Sequence, residues 1–404
     1  MKRLCIIAAH TDLKTDPRVY KQVVTATKSG WVVDACFYNT TIHTKTIQEE
    51  EGCTVTRIPF STIVRYITLP PMLTCTLIEK YLESKLKNTN RVTEILRLYT
   101  WSLMMYFIVQ LHFFKEISEK KADVYHATDL LTLLTGVLLK RKNGGKLVYD
   151  SHEMWIESIE NITPFLKKIL YIYEGFLIKQ ADVVTTVNQP IANELSRKYK
   201  IKTPTVVMNT PFLQVQPNHE PHDAIRVIYQ GRYTRNRGIE SAIRAISELP
   251  GVQLYMRGID AYMIGDYEPY VEELKKIAPN VIFLPPVDMK DLVTSLGDFD
   301  IGIVPYIGNN FNNLNASPNK IFEYMMAGLA VVASDIPVLT SILTTCECGC
   351  TYEQYSPESL RKSIIVAVSD LNKFKQNARR CAESNYNWDV QGKKFIDIYN
   401  ELIK

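Results

Sequence analysis

The stretch that decides the fold is NNLNASPNKIFEYMMAGLAVVASD, residues 312–335. Ser317 can cap a helix through its hydroxyl group, and Pro318 then takes the first helical position, where its missing N–H costs nothing. Gly328 can end that helix, and the continuous apolar run at 329–333 predicts a buried strand. The stretch therefore predicts a helix followed directly by a strand, which is the repeating unit of α/β sheets.

Similar apolar runs, bounded by turn residues, recur along the chain. In the first half they lie at residues 4–9, 32–38, 124–126, 146–149 and 183–187. In the second half they lie at residues 225–229, 253–256, 281–284, 301–304 and 331–333. Runs that are apolar on both faces are typical of parallel strands covered by helices. With helical patterns between them, they predict an α/β protein built from doubly wound, Rossmann-like parallel sheets.

The segment TPFLQVQPNHEPHDA, residues 210–224, separates the two sets of strands. Its three prolines and its lack of periodicity favour a linker, and 404 residues are too many for one compact core. We predict a first Rossmann-like domain over 1–210 and a second over 211–385, facing each other across a cleft. Ligands of open parallel sheets bind beyond the carboxyl ends of the strands, so the cleft is the expected site.

Composition and charge narrow the class of protein. A chain that is 46% hydrophobic and 22% charged is an ordinary globular protein, which excludes collagen-like, coiled-coil and disordered classes. A net charge of +4 is too small to indicate a nucleic-acid partner, and none is predicted. Residues 1–210 carry 28 Lys and Arg against 20 Asp and Glu, and the remainder carries 19 against 23. The basic half favours a different partner from the acidic half, although scatter over two solvated surfaces is an equal alternative.

Cationic groups in the second half indicate an anion site. The segment VIYQGRYTRNRG, residues 227–238, runs from a strand into Gly231, where the backbone can approach a ligand closely. Arg232 and Arg237 follow, and arginines can hold a diphosphate with charge-assisted bonds. Lys320 opposes the dipole of its own helix, which is readily explained by an anion bound there. Glu323 lies among apolar neighbours and needs a partner, such as the hydroxyls of a ribose, or else lies on a solvated helix face.

Polar groups also follow two strands of the first half. The segments YHATD (125–129) and YDSHE (149–153) each place a histidine and a carboxylate just past a strand. His126, Asp129, His152 and Glu153 are therefore acid/base or hydroxyl-orienting candidates, with local loop hydrogen bonding as an equal alternative. The loop at 10–20 lacks the GxGxxG glycines, so a dinucleotide site is not supported.

Together these segments resemble a family-four-type retaining glycosyltransferase of the GT-B fold. The matching segments occur in the family's order: 16–19 (DPRV), 29–32 (SGWV), 125–129, 149–153, 206–209 (VVMN), 231–238, 317–335 and 387–403. The resemblance implies a terminal helix, 386–404, that returns to the first domain. It also implies transfer of a sugar from a nucleotide diphosphate sugar, with retention at the anomeric carbon.

The resemblance implies a role for each matching residue. Glu323 would hold the ribose hydroxyls, and Arg232 would contact the diphosphate, with Arg237 standing where the family usually has lysine. Phosphate would also bind at Ser317, Pro318, Asn319 and Lys320. His126 and His152 would face the sugar or acceptor. No metal and no cofactor beyond the donor substrate are expected.

The sequence departs from the family at two positions. Asn315 replaces the glutamate that often precedes the ribose glutamate by eight residues, so contacts to the donor sugar must differ. Thr128 replaces a second histidine in the first strand-end motif. These departures favour one alternative, a catalytically silent nucleotide-sugar-binding protein. A GT-B enzyme of another reaction is a further alternative, either a sugar-nucleotide epimerase or a phosphorylase, although no segment argues for the cofactor lysine of a phosphorylase.

The partners and location follow from the same comparison. Related enzymes often extend lipid-linked surface polysaccharide, so a carbohydrate or lipid-linked acceptor is expected. Residues 4–9 form too short an apolar run for a secretion signal, which favours a cytoplasmic protein. Residues 99–114 contain no formally charged residue but are too short to span a bilayer. With residues 67–78 and the basic half, they predict contact with a membrane surface.

The eight cysteines do not have the density of a disulfide scaffold. Cys346, Cys348 and Cys350 form the one cluster, and their alternate spacing is not that of a zinc site.

Overall fold

The computed structural model describes residues 1–9, 12–39, 44–59, 104–159, 162–219, 222–235, 237–258 and 267–404. In 104–159 the side chains are described from residue 106 onward, and in 267–404 from residue 269 onward. It divides into two compact units, Met1–Val207 with Gly392–Lys404, and Met208–Gln391. The sequence-based division falls after residue 210. Both units are α/β, as the sequence predicts.

The described strands of the first unit form one sheet in the order β3-β4-β2-β1-β5-β6-β7-β8. The strands are β1 Arg3–Ala9, β2 Val32–Asn39, β3 Thr46–Glu50, β4 Cys53–Pro59, β5 Val124–Thr128, β6 Lys146–Ser151, β7 Val183–Thr186 and β8 Thr205–Val206. All neighbours are parallel except β3, which pairs antiparallel with β4 at the sheet edge. That hairpin was not predicted, because β3 is largely exposed and polar.

The helices of the first unit connect these strands. They are α1 Pro17–Lys28, α2 Gln110–Ile117, α3 Leu130–Asn143, α4 Pro164–Ile178 and α5 Gln189–Tyr199. A π-helical turn, Met104–Val109, precedes α2. Of the two predicted membrane segments, 67–78 lies outside the described residues, and so do residues 99–103 of the second. The rest of the second segment, residues 104–114, is helical. Among the described residues, no helix is long and apolar enough to cross a bilayer.

The second unit has a sheet of parallel strands in the order β11-β10-β9-β12-β13-β14. The strands are β9 Ile225–Gln230, β10 Val252–Arg257, β11 Ile282–Leu284, β12 Ile301–Val304, β13 Ala330–Ser334 and β14 Gly349–Tyr352. Alternate residues of β9 enter separate apolar clusters, with Ile228 in one and Val227 and Tyr229 in the other. Both faces of this sheet are thus covered, which explains its continuous apolar runs.

The helices after β9 complete the chain. They are α6 Ile239–Ile246, α7 Tyr267–Ile277, α8 Phe311–Leu314, α9 Asn319–Ala327, α10 Pro337–Cys346, α11 Pro357–Ser369, α12 Leu371–Ser384 and α13 Trp388–Leu402. The boundary between the units falls within α13, so the end of this helix belongs to the first unit.

One disulfide, between Cys346 and Cys381, joins α10 to α12. The sequence analysis did not expect this bond, because the two residues are far apart in the chain. Cys348 is buried and Cys350 is partly buried, both as free thiols. Among the described residues, no group of three or more His, Cys, Asp and Glu side chains is arranged to hold a metal ion.

Candidate active site

Gly231 follows the last residue of β9 and gives the site of the second unit its shape. Its φ of +143° lies in a region that favours glycine. A Cβ atom at this position would lie 2.8 Å from Nζ and 3.1 Å from Cε of Lys320. The absence of a side chain at Gly231 therefore lets the lysine of α9 reach the carboxyl end of β9.

Lys320 is a partly buried cation at this strand end. Its Nζ lies 3.9 Å from the ring centroid of Tyr229, and the hydroxyl of Tyr229 donates to the backbone oxygen of Arg232 at 2.7 Å. Burial, and to a lesser extent the charge of Arg237, lower the pKa of Lys320 to about 7 against the opposing effect of the Glu323 carboxylate. A bound anion would reverse this shift, since it would stabilise the protonated amine.

The first turn of α9 adds a second source of positive potential. Pro318 precedes the helix in an extended conformation, with φ −65° and ψ 140°. The predicted cap is therefore displaced by one residue, since Pro318 and not Ser317 occupies the cap position. Proline has no side-chain acceptor, and the N–H groups of Asn319 and Lys320 have no acceptor within the helix. Gly328 ends the helix in the left-handed conformation, as predicted.

Glu323 lies beside the same strand end. Its Oε2 accepts from Nε2 of Gln230 at 3.1 Å. The Oε1 of Gln230 accepts from Arg257 at 2.9 Å, and its backbone N–H donates to the hydroxyl of Tyr324 at 2.8 Å. Gln230 and Arg257, which the sequence analysis did not select, therefore fix the carboxylate. Gln230 stands directly before Gly231 in the quoted segment, but its burial could not be read from the sequence.

The remaining predicted donor residues have different environments. Arg232 is exposed, directly after Gly231. Arg237 is partly buried, with its guanidinium carbon 4.1 Å from the ring centroid of Tyr306. Asn315 is buried, and its Nδ2 donates to the backbone oxygen of Phe311 at 2.9 Å. The structure thus gathers Gly231, Lys320, Arg237 and Glu323, whereas the side chain of Asn315 holds the end of α8.

A buried charge network occupies the first unit, at the carboxyl ends of β5 and β6. Its centre is Asp150, which has no exposed surface. Four side chains donate to its carboxylate at 2.8–3.1 Å: Arg18, Gln22, Thr185 and His152. Burial raises the pKa of Asp150, but the charges of Arg18 and His152 outweigh it and hold that pKa well below its usual range. Arg18 and Asp150 lie in the quoted DPRV and YDSHE motifs but were not selected.

His152 is the accessible member of this network, with 22% of its side chain exposed. Its Nδ1 lies 3.3 Å from Asp129 and its Nε2 3.1 Å from Asp150. Burial lowers the pKa of His152, but the two carboxylates outweigh it and raise it to about 9. Asp129 has φ +57° and ψ 171°, a combination that is costly for a residue with a side chain. The surrounding structure therefore holds the backbone of Asp129 in a strained conformation that places its carboxylate beside the protonated imidazole of His152.

His126 has a different position from the one predicted. Its side chain has no exposed surface, and burial lowers its pKa. The Nδ1 lies 2.9 Å from the hydroxyl of Tyr399, and the Nε2 lies 3.5 Å from Asp150. The ring thus contacts the core and α13 rather than facing an acceptor, and a catalytic role for His126 stays a prediction. Glu153, which is partly buried, accepts from the hydroxyl of Ser151 through its backbone oxygen at 2.7 Å.

Comparison with known proteins identifies glycosyltransferases that are similar to this chain. Residues 224–370 match the family described as Glycosyl transferases group 1, and residues 79–211 match Glycosyltransferase Family 4. The chain is 24% identical over 294 residues to the uncharacterized glycosyltransferase MJ1069 of Methanocaldococcus jannaschii, covering 67% of this chain and 72% of that protein. It is 27% identical over 209 residues to TuaH of Bacillus subtilis, which is named for teichuronic acid biosynthesis, covering 48% and 51%.

Two solved structures show the same fold. Sucrose-phosphate synthase of Thermosynechococcus elongatus has a TM-score of 0.73 at 16% identity and is matched over 100% of this chain and 99% of its own. Anabaena HepE, solved in complex with UDP, has a TM-score of 0.67 at 12% identity, over 99% and 100%. The two solved structures show that the fold is GT-B. The family matches over residues 79–211 and 224–370 show that the chain belongs to the family-four-type glycosyltransferases.

Proposed function

We propose that the chain transfers a sugar from a nucleotide diphosphate sugar to a carbohydrate or lipid-linked acceptor, with retention at the anomeric carbon. The observation that carries the proposal is the position of Lys320, whose amine is partly desolvated at a glycine-lined strand end. Gly231, Arg237 and the first turn of α9 add space and positive potential. A diphosphate has the negative charge to pair with these cations.

Glu323 is the proposed ribose contact. Gln230 holds one of its carboxylate oxygens, and a carboxylate has several lone pairs, so it can accept from ribose hydroxyls as well. Ser317, Pro318 and Asn319 precede or begin α9, where backbone N–H groups suit a phosphate. HepE, with the same fold, was solved in complex with UDP, which supports a nucleotide diphosphate sugar as the donor.

The proposed chemistry needs no nucleophile from the protein. The bond between the anomeric carbon and the donor phosphate oxygen breaks while the acceptor oxygen bonds to that carbon from the same face. The departing phosphate oxygen takes the proton of the acceptor hydroxyl. Arg232 and Lys320 stabilise the negative charge that builds on the diphosphate. No metal ion and no further cofactor take part in this proposal.

The acceptor side is assigned to the first unit. His152, which is protonated near neutral pH and partly exposed, can donate to an acceptor or sugar hydroxyl. Asp129 and Asp150 fix its ring, so they are positioning residues. TuaH is named for teichuronic acid biosynthesis, which supports a role in cell-surface polysaccharide or glycolipid synthesis by a cytoplasmic protein at the membrane face.

A second candidate is a nucleotide-sugar-binding protein without turnover. Asn315 favours it, because an amide stands where the family often has a glutamate, and its Nδ2 donates to the backbone of α8. The two candidates differ in one observable, the release of nucleoside diphosphate from a bound donor.

The test is a thermal-shift screen against UDP- and GDP-sugars, followed by a release assay with the sugar that binds. Ligands that bind the folded state raise its melting temperature. Slow release of the nucleoside diphosphate without acceptor supports a transferase. A product with the same anomeric configuration as the donor supports retention. Binding without release against any acceptor supports the second candidate, and no stabilisation by any nucleotide contradicts both.

A further inference from the structure

Helix α4 of the first unit has buried apolar residues on one face and exposed apolar residues on the adjacent face. Leu166, Leu170 and Leu177 are buried. On the other face, the exposed apolar side chains are Phe165 (66%), Ile169 (39%), Ile172 (65%) and Phe176 (61%). Their spacings of four, three and four residues place all four side chains in one narrow stripe.

The stripe continues onto the neighbouring segment. The ring centroid of Phe107 lies 4.8 Å from that of Tyr173, on α4. Phe107 is 38% exposed, and Leu111, one turn later, is 49% exposed. Contiguous exposed apolar surface of this kind marks an interaction site in a water-soluble fold.

Lysines border one edge of the stripe. Lys168 and Lys179 are exposed, and their helical spacing places both on the same side of the apolar residues. Beside Pro164 and Ile172 lies an open depression of about 400 Å³, also lined by Lys167, Lys168, Lys198 and Tyr171. The Nζ of Lys198 lies 3.6 Å from the ring centroid of Tyr171.

The acidic groups nearby neutralise part of this charge. Glu157 pairs with Lys167 at 2.7 Å, and Glu194 lies 4.0 Å from Lys198. Lys168 and Lys179 are left at the outer edge. An apolar stripe bordered by outward-facing lysines is the pattern of a helix that lies in the plane of a membrane interface.

We propose that the α4 stripe is the surface by which this protein docks onto an anionic lipid bilayer. The side chains of Phe165, Ile172 and Phe176 enter the boundary between headgroups and acyl chains, and the bordering lysines contact lipid phosphates. The positive charge of Lys168 and Lys179 favours an anionic bilayer over a second copy of the chain, because a second copy would place its own lysines against them. This assignment deepens the membrane contact of the proposed function and names a segment different from 67–78 and 99–114.

The test is co-sedimentation of the full chain with vesicles of phosphatidylcholine, alone or with phosphatidylglycerol added. We expect binding to the anionic vesicles at low salt that weakens as salt rises. The variant F165S/I172S/F176S should bind at least about tenfold more weakly, and so should K168E/K179E. The matched control is I365S/V366S, because Ile365 and Val366 are exposed apolar residues on α11 (59% and 47%), and it should bind like the wild type.

Nucleotide binding separates this proposal from the proposed function, since all three variants should keep their affinity for UDP or GDP. If the triple variant loses its nucleotide affinity or its melting transition, it is misfolded, and the vesicle binding of K168E/K179E then tests the proposal. Failure of the wild type to bind anionic vesicles, or equal binding by the stripe variants, overturns the proposal. So does a wild-type dimer that the serine variant dissociates, because the occupant would then be a second copy.

Discussion

Gly231 and Lys320 lie so close that the first could not carry a side chain without moving the second. A Cβ atom on residue 231 would lie 2.8 Å from the lysine Nζ. The contact joins the end of β9 to the first turn of α9, and both elements are needed to form the cation cluster. The proposed diphosphate site therefore depends on this pair.

The variant Gly231→Ala tests that contact. The new methyl group displaces the amine of Lys320, and we expect affinity for UDP or GDP to fall at least about tenfold. The positive φ adds a loss of stability of about 1–3 kcal/mol. Isothermal titration calorimetry and urea unfolding measure the two effects separately.

Gly251→Ala is the matched control. Gly251 lies in the same unit with φ +74°, and a Cβ there would meet nothing within 4 Å. This variant should lose about 1–2 kcal/mol of stability and keep its nucleotide affinity. Wild-type affinity in Gly231→Ala would show that the position of Lys320 does not matter for binding.

Glu323→Gln tests the ribose contact. The wild type should bind UDP or GDP more tightly than the corresponding 2′-deoxy nucleotide by about tenfold or more, because a hydrogen bond to a charged group contributes about 1.5–3 kcal/mol. The variant should lose most of this preference, since it loses the charge. Glu358→Gln, at an exposed glutamate of α11 that pairs with Lys362 at 2.7 Å, is the control. Equal preference in Glu323→Gln and the wild type would remove the ribose assignment.

Arg232→Ala tests the leaving-group role. We expect kcat for nucleotide release or transfer to fall about 10²–10³-fold, with a smaller change in donor affinity, because the charge develops only as the bond breaks. Arg235→Ala is the control from the same loop, since that guanidinium pairs with Glu273 at 2.7 Å. Donor affinity that falls as much as kcat would assign Arg232 to ground-state binding instead.

The pKa of His152 predicts how stability depends on pH. It is about 9 in the folded protein, above the value of about 6.5 for an unfolded chain. The protonated imidazole therefore stabilises the fold fully below about pH 6.5, and this contribution is lost as pH rises through 9. Its size is up to about 3 kcal/mol, reduced by the partial exposure of the ring.

Urea unfolding of the wild type and His152→Gln at pH 6 and pH 9.5 measures this contribution. Titration of other groups is common to both proteins, so the difference between them isolates His152. The gap in unfolding free energy should be large at pH 6 and small at pH 9.5. A gap that does not change with pH would mean that folding does not raise the pKa of His152.

The sequence predicted the parts of the fold that depend on local patterns. The apolar runs of β9 and β13, the helix between 317 and 328, and the left-handed Gly328 all follow from spacing and residue type. The start of α9 lies one residue later than predicted, because local preference alone does not determine whether Ser317 or Pro318 occupies the cap position.

What the sequence could not show depends on packing between distant segments. Arg18 and Asp150 are 132 residues apart, and their pairing requires the start of α1 to lie beside the carboxyl end of β6. His126 lies within β5, whereas His152 follows β6, and packing against α13 buries the His126 ring. The exposed apolar stripe of α4 was not predicted either, because the sequence alone does not show which apolar side chains of a helix pack against the core.

The central claim is that a diphosphate binds beside Lys320. The pKa of this lysine is about 7 without ligand, so at pH 8 the amine is mostly neutral, and an anion that binds beside it must raise the pKa. Calorimetric titration at pH 8 with UDP or GDP, in two buffers of different ionisation enthalpy, measures the protons taken up on binding. We predict uptake of about 0.5–1 proton by the wild type and close to none by Lys320→Met. Binding without proton uptake by the wild type, or equal uptake by the variant, would contradict the claim.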